Sequence, residues 1–392
     1  MAKSLSGLWL KNLRRLSKTQ SQGRKLLKTW LPQPAKPKRA PAKSAKPAAK
    51  SALKPAAKRA ASKAAKPSGS AAAEALAGLP GQWSRHYFAA LSPPGRASAA
   101  AHRMPYWLYL PAKPSLDALP LVVMLHGCQQ SAPDFAAASR MNALAERKGF
   151  AVLYPQQSAG ADRHRCWHWY KSSTQAGGGE VAVIAQLIAK VSAQHQIDAS
   201  RIYAAGLSAG AALAALVALH HPKLIAALGL HSGPVFGSSD SPLTAYRAMQ
   251  QGGRGAHTAA ARNVSRIADF PGMPVIIFHG DQDAVVRRIN ADELVDQFLI
   301  VNGANITSDQ PVQRAFPARA GRSPQRAMRT TIYYAGRKAM VVRCDVATLG
   351  HAWSGGSASV PFSAPEGPNA SGLLWDFFAL HRRGAGAEQD AS

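Results

Sequence analysis

The sequence predicts an α/β domain, a mostly parallel central sheet with helices on both faces, behind a basic N-terminal extension that has no core of its own. Three observations predict it. Short apolar runs alternate with longer stretches of helical periodicity through the last three quarters of the chain. Those runs are apolar on both sides instead of alternating, as strands buried on two faces must be. Composition also breaks sharply near residue 70: the first seventy residues hold 19 Lys and Arg and no Asp or Glu, which accounts for 19 of the net +28. Most of the basic excess therefore belongs to the extension.

Taken in order, residues 1–31 form a basic amphipathic segment. Leu5, Leu8, Trp9, Leu13 and Leu16 recur at helical spacing, and Lys11, Arg14, Arg15 and Lys18 supply a cationic face. Such a face suits an anionic surface, either a membrane or a coated granule. Residues 32–77 are an Ala/Lys/Pro-rich linker expected to be disordered, because its repeated Lys-Pro-Ala units have nothing to bury. Nucleic acid is not an expected partner beyond non-specific attraction, since no aromatic residues interleave with the lysines to stack on bases.

Residues 78–384 are read as the domain, of a size that buries most of its chain surface. Strands are expected at 106–110, 121–125, 151–154, 201–205, 226–230, 275–278, 332–334 and 341–346. Helices are expected at 134–148, 180–194, 209–220, 291–300 and 372–381. Three cysteines, Cys128, Cys166 and Cys344, are too few for a disulfide scaffold. No apolar run is long enough to span a bilayer. Lys11 interrupts Leu8-Trp9-Leu10 before a signal-peptide core can form, so no cleavable signal is expected.

The chemistry concentrates at Gly206-Leu207-Ser208-Ala209-Gly210. The apolar run Ile202-Tyr203-Ala204-Ala205 leads into it and an Ala-rich helical stretch leads away. G-x-S-x-G between a strand and a helix is a nucleophile elbow, a sharp turn that lifts the Ser208 hydroxyl clear of the sheet. It is the signature of the α/β-hydrolase fold. A serine hydroxyl needs a base, and the base needs a carboxylate to orient it. In this fold they follow in the order Ser, acid, His. Asp281 and Asp283 lie in the loop after Val275-Ile276-Ile277-Phe278, and position alone does not separate them. His351 lies in the glycine-flanked loop Leu349-Gly350-His351-Ala352-Trp353-Ser354-Gly355 and is the expected base.

Oxyanion donors are expected from backbone amides. One is Ala209, which follows the nucleophile. The other is Cys128 in Leu125-His126-Gly127-Cys128-Gln129, with Gln129 the neighbouring alternative; this stretch resembles the His-Gly-Gly oxyanion loop of lipases. His126 reads as a structural loop residue. Trp167, Trp169 and Trp353 are candidate substrate contacts, Trp353 because it lies two residues from His351. No cofactor is expected: no Cys pair has ligand spacing for a metal, and neither a dinucleotide fingerprint nor a phosphate loop occurs.

Taken together, the motifs resemble the polyhydroxybutyrate (PHB) depolymerase-like esterases, relatives of feruloyl and acetylxylan esterases. The resemblance covers about 106–378. It rests on His126-Gly127-Cys128, Cys166-Trp167-x-Trp169, Gly178-Gly179-Glu180, the Ser208 elbow, His279-Gly280-x-x-Asp283-x-Val285-Val286 and Gly350-His351-Ala352-Trp353-Ser354-Gly355-Gly356. It implies Asp283 as the acid, with Asp281 a loop residue. In that family cysteines at the places of Cys128 and Cys166 can bridge; a bridge here would imply an oxidising compartment, against the missing signal peptide. Localisation stays open between a cytoplasmic or granule-associated protein and the extracellular placement of many relatives. No separate polymer-binding module is expected after Phe378. The expected activity is hydrolysis of hydroxyalkanoate oligomers or related esters through a Ser-His-Asp acyl-enzyme. A feruloyl or acetylxylan esterase, or a peptidase on the same fold, is the alternative. The non-enzymatic alternative is a granule- or nucleic-acid-binding protein acting through its basic tail.

Overall fold

The computed structural model of the chain describes Leu76 and residues 78–90, 103–112, 117–265, 269–303, 306–307, 310–321 and 324–384. The readings of 1–31 and, Leu76 apart, of 32–77 lie outside the described residues.

Among the described residues, ten strands form one sheet: β1 (Gln82–Ala89), β2 (Arg103–Leu110), β3 (Leu119–Leu125), β4 (Ala151–Pro155), β5 (Ile197–Leu207), β6 (Ala227–His231), β7 (Val275–Gly280), β8 (Val312–Phe316), β9 (Met328–Ala335) and β10 (Lys338–Val346). Their spatial order is β1-β2-β4-β3-β5-β6-β7-β10-β9-β8. The six central strands, β4, β3, β5, β6, β7 and β10, run parallel. Antiparallel strands flank them at both edges. This is the α/β-hydrolase fold the sequence predicts.

Side chains of the central strands are buried on both faces; Leu121, Val122, Val123, Met124 and Leu125 have no accessible surface. Val122 and Met124, with Tyr203, Ala205 and Phe278, share one core cluster with α1 (Ala132–Ser139), α2 (Met141–Lys148) and the C-terminal helix α9 (Ala370–Phe378). The alternate residues face the other side, where α4 (Glu180–Gln194) and α5 (Ala209–His220) lie after the short α3 (Ser172–Gln175). Helix α5 is buried from Ala209 to Leu219, which is why its sequence is apolar around its whole circumference. Three further helices, α6 (Pro242–Gln251), α7 (Ala256–Ser265) and α8 (Ile289–Val301), complete the layers.

Several elements differ from the sequence expectation for identifiable reasons. The helix expected over 134–148 is two helices, broken at Arg140 in a left-handed conformation (φ 55°). The carbonyls at the end of α1 turn to tertiary donors: Ala138 accepts from the Ser357 amide at 3.0 Å and Ser139 from the Ser371 hydroxyl at 2.6 Å. The edge strands β1 and β8 were not expected. Every residue of β8 is exposed, so it has no apolar periodicity and takes its form from pairing with β9. Helices α6 and α7 were also missed.

What matters for the site is register. Leu207, His231 and Phe278 stand side by side on β5, β6 and β7, and Gly280 pairs with Val346 of β10. All four parallel strands therefore end at one edge, and their following loops carry Ser208, Asp283 and His351. A two-stranded ribbon, β11 (Trp353–Ser354) with β12 (Ser363–Ala364), anchors the loop just beyond His351.

Candidate active site

Ser208 sits where β5 gives way to α5, at φ 57°, ψ −122°. A non-glycine residue there is strained by about 1–3 kcal/mol and persists only where its surroundings enforce it. The surroundings are its two glycines. A Cβ on Gly206 would meet the Gly210 carbonyl carbon and oxygen at 2.4 Å, and one on Gly210 would meet Leu125 O at 2.1 Å and His126 O at 2.5 Å. The spacing of the motif thus lets helix α5 start directly against the end of β3. The Ser208 amide is fixed by His231 O at 2.9 Å, while its hydroxyl has no hydrogen-bond partner among the described residues.

His351 Nδ1 donates to Asp283 Oδ2 at 2.7 Å. Asp283 Oδ1 accepts the amides of Val285 and Val286, both at 2.9 Å, and its side chain is wholly buried. Burial pushes the Asp283 pKa up, but the hydrogen bond and charge of His351, with His279 and the Val286 amide, hold it below the ordinary carboxylate value. Asp281 is exposed and ties a different place, accepting the Thr348 amide at 2.6 Å. Of the two acids in the loop, only Asp283 reaches His351. His279 donates Nε2–H to Val286 O at 2.8 Å and braces the same loop.

At the end of β3, the Gln129 amide is given to His164 O at 2.6 Å, which removes it as an oxyanion donor. The amides of Cys128 and Ala209 have no such partner among the described residues. Cys128 is joined to Cys166 by a disulfide closing a sequence separation of 38; loop-closure entropy alone makes such a bridge worth about 4 kcal/mol. His126 Nε2 accepts the Gln157 amide at 3.2 Å, so its proton lies on Nδ1, which donates to Gly127 O at 2.8 Å. Burial drives its pKa down to about 4, and it remains a neutral structural residue.

The three tryptophans do not line a groove. Trp167, Trp169 and Trp353 are 0%, 3% and 0% exposed, and the reading of them as substrate contacts is corrected to packing. Trp167 Nε1 donates to His126 O at 2.9 Å. Trp353 stacks on His231 with ring centroids 5.0 Å apart and donates to Ser371 Oγ at 3.1 Å. Proximity to His351 in sequence misled because β11 turns that ring inward.

Sequence reasoning missed His231. It stacks between Phe278 and Trp353, and its Nε2 accepts the Ser354 amide at 3.1 Å, so one neutral ring joins the nucleophile's neighbouring strand to the loop of His351. Burial lowers its pKa to about 3. A polar residue closing the apolar run beside the nucleophile strand was the available signal.

Residues 104–320, just over half of the chain, match the model of the family described as Esterase PHB depolymerase. A poly(3-hydroxyalkanoate) depolymerase C of Paucimonas lemoignei is 34% identical over 194 residues, covering 48% of this chain and 47% of that protein. A probable acetylxylan esterase A of Neosartorya fischeri is 29% identical over 223 residues, 54% of this chain and 58% of that one. The chain thus spans about half the length of these curated relatives. Among solved structures, an acetyl xylan esterase from Aspergillus awamori superposes with a TM-score of 0.57 at 19% identity, over 76% of this chain and 99% of that one, which shows the shared fold. With a family match over more than half of its length, the chain belongs to the Esterase PHB depolymerase family.

Proposed function

We propose that the chain is a serine hydrolase of carboxylic esters, acting on hydroxyalkanoate oligomers or related esters. The observation that carries this is the pairing of a serine held at positive φ on a strand–helix elbow with a buried Asp–His pair on the same sheet edge. Ser208 Oγ attacks the ester carbonyl while His351 Nε2 takes its proton; Asp283 holds the ring in the tautomer that leaves Nε2 free. The carbonyl oxygen gathers negative charge between the amides of Ala209 and Cys128, at the N-terminus of α5. His351 then protonates the departing alcohol, leaving an acyl-Ser208. Water, deprotonated by the same nitrogen, releases the acid and restores the hydroxyl.

The test is hydrolysis of p-nitrophenyl acetate, butyrate and octanoate by the purified chain beside Ser208→Ala. Activity lost in the variant supports the nucleophile, and the acyl-length profile separates short acetyl-type esters from longer ones. A folded parent that hydrolyses none of them sinks the proposal.

The basic segment at 1–31 is read as an anchor to an anionic surface, on the spacing of its Leu, Trp and Lys/Arg residues. Deleting the residues before Ala71 should release the protein from anionic vesicles at low salt and leave turnover of small esters unchanged. Undiminished vesicle binding removes the reading. The Cys128–Cys166 bridge supports an oxidising compartment.

A further inference from the structure

A second imidazole lies between carboxylates, in the loop that carries Cys166. His168 Nδ1 is 3.0 Å from Glu180 Oε1, its Nε2 is 3.5 Å from Asp162 Oδ2, and its amide donates to Glu180 Oε2 at 2.7 Å. The His168 and Glu180 side chains are about one-tenth exposed. Around the ring stand Asp162 and Glu180 as acids and Lys171 as the facing cation, with the Tyr170 ring edge-on at 6.1 Å. The same two acids also fold the loop. Asp162 Oδ1 takes the amides of His164 at 2.8 Å and Cys166 at 3.1 Å, and Glu180 Oε1 takes the side-chain amide of Gln157.

That loop is what holds the end of β3. Gln157 N meets His126 Nε2, Trp167 Nε1 meets His126 O, His164 O takes the Gln129 amide, and Cys166 is bonded to Cys128. Every residue of 126–129 other than Gly127 is tied to it, and Gly127 N is held by Gln130 Oε1 at 2.8 Å. The Cys128 amide is left uncommitted between fixed neighbours.

We propose that His168, as an imidazolium clamped by Asp162 and Glu180, is a positioning residue that holds the Cys128 amide where the oxyanion forms. This rests on the esterase reading above. The two carboxylates raise its pKa to about 9 against the effect of burial, so the charge is present at neutral pH. A neutral imidazole has one N–H and leaves one of the two carboxylates facing a lone pair. Since the folded pKa lies above the ordinary value of about 6.5, the cluster stabilises the loop fully below that value and loses its hold as pH rises through about 9. The oxyanion exists only on the way to and from the acyl-enzyme, so loosening its donor lowers kcat and leaves KM for a small neutral ester in place.

The experiment measures kcat and KM on p-nitrophenyl butyrate from neutral to alkaline pH for the parent, His168→Gln and Glu180→Gln. Ser208→Ala serves as blank, and the folded fraction is counted by fluorophosphonate labelling. We expect His168→Gln to lower kcat about tenfold at neutral pH, less than the roughly 10²–10³ of deleting a donor, with KM within about twofold. The parent's fall in kcat near pH 9 should vanish in that variant. In Glu180→Gln it should move towards neutrality, because one of the two raising carboxylates is gone. The proposal is overturned if both variants keep the parent's kcat per labelled site and its alkaline limb, or if they lose only thermal stability. A parent no faster than Ser208→Ala overturns the esterase reading first, and the positioning role with it.

Discussion

His351 and His168 both lie against carboxylates, and the two are wired for opposite ends. His351 gives Nδ1 to one buried acid, Asp283, and its Nε2 has no partner among the described residues. His168 lies between two acids, with one on each ring nitrogen. In the proposed mechanism the first accepts a proton from Ser208 and hands it on; the second has no nitrogen left with which to do so. An uncommitted ring nitrogen therefore marks a candidate base better than a His–Asp contact does. A second acid turns the same ring into a fixed cation, useful for rigidity and useless for transfer.

The largest expected effects probe that difference directly. His351→Ala and Asp283→Asn should each lower kcat by about 10³–10⁴ or more, since one removes the proposed base and the other its proposed orienting partner. Asp162→Asn, the corresponding change at the second imidazole, should cost only a few-fold. Turnover of p-nitrophenyl butyrate by the three variants decides it. Equal losses for Asp162→Asn and Asp283→Asn would erase the distinction between a working and a structural pair.

Next in size is the elbow itself. Gly210→Ala would place a methyl within 2.1 Å of Leu125 O, and backbone cannot rotate away as a side chain would. A loss of about 2–4 kcal/mol is expected, in the range of overpacked or strained sites. The denaturation midpoint of the variant checks it. Because the clash is with the end of the strand that leads into Cys128, activity per folded molecule should also drop. An unchanged midpoint would mean that α5 does not start against β3.

How far the sequence reached depended on whether a function is encoded locally. The Ser208 elbow is local: its strand, its glycines and its helix are contiguous, and it was legible whole. The central parallel strands were legible too, most of them because burial on both faces leaves an apolar run. The choice between Asp281 and Asp283 was not in the residues, since it turns on which carboxylate accepts the amides of Val285 and Val286 and which accepts Thr348. Gln129 was ruled out as a donor by His164, 35 residues away and visible only once the loop is folded. Trp353 was misread because adjacency along a chain says nothing of which way a strand residue points. Arg140 interrupts a helical pattern because the last carbonyls of α1 find donors near the C-terminus, beyond the reach of any window.

The smallest effect is expected at Asp281, and it sharpens the comparison because Asp281 lies two residues from Asp283, the proposed acid. Its carboxylate is exposed and holds the Thr348 amide three residues before His351. Asn at this position keeps an oxygen that can accept the same amide, and the charge it removes is already well screened by water. Asp281→Asn should therefore change kcat by less than about twofold with KM unaltered, measured on p-nitrophenyl butyrate beside Asp283→Asn. Asp281→Ala removes the acceptor as well and frees one end of the loop that aims His351. It should lower kcat slightly more, and the gap between Asn and Ala measures what the tether contributes. If Asp281→Asn instead matched Asp283→Asn, the acid would be shared across the loop, and the buried geometry of Asp283 would not be what orients the base.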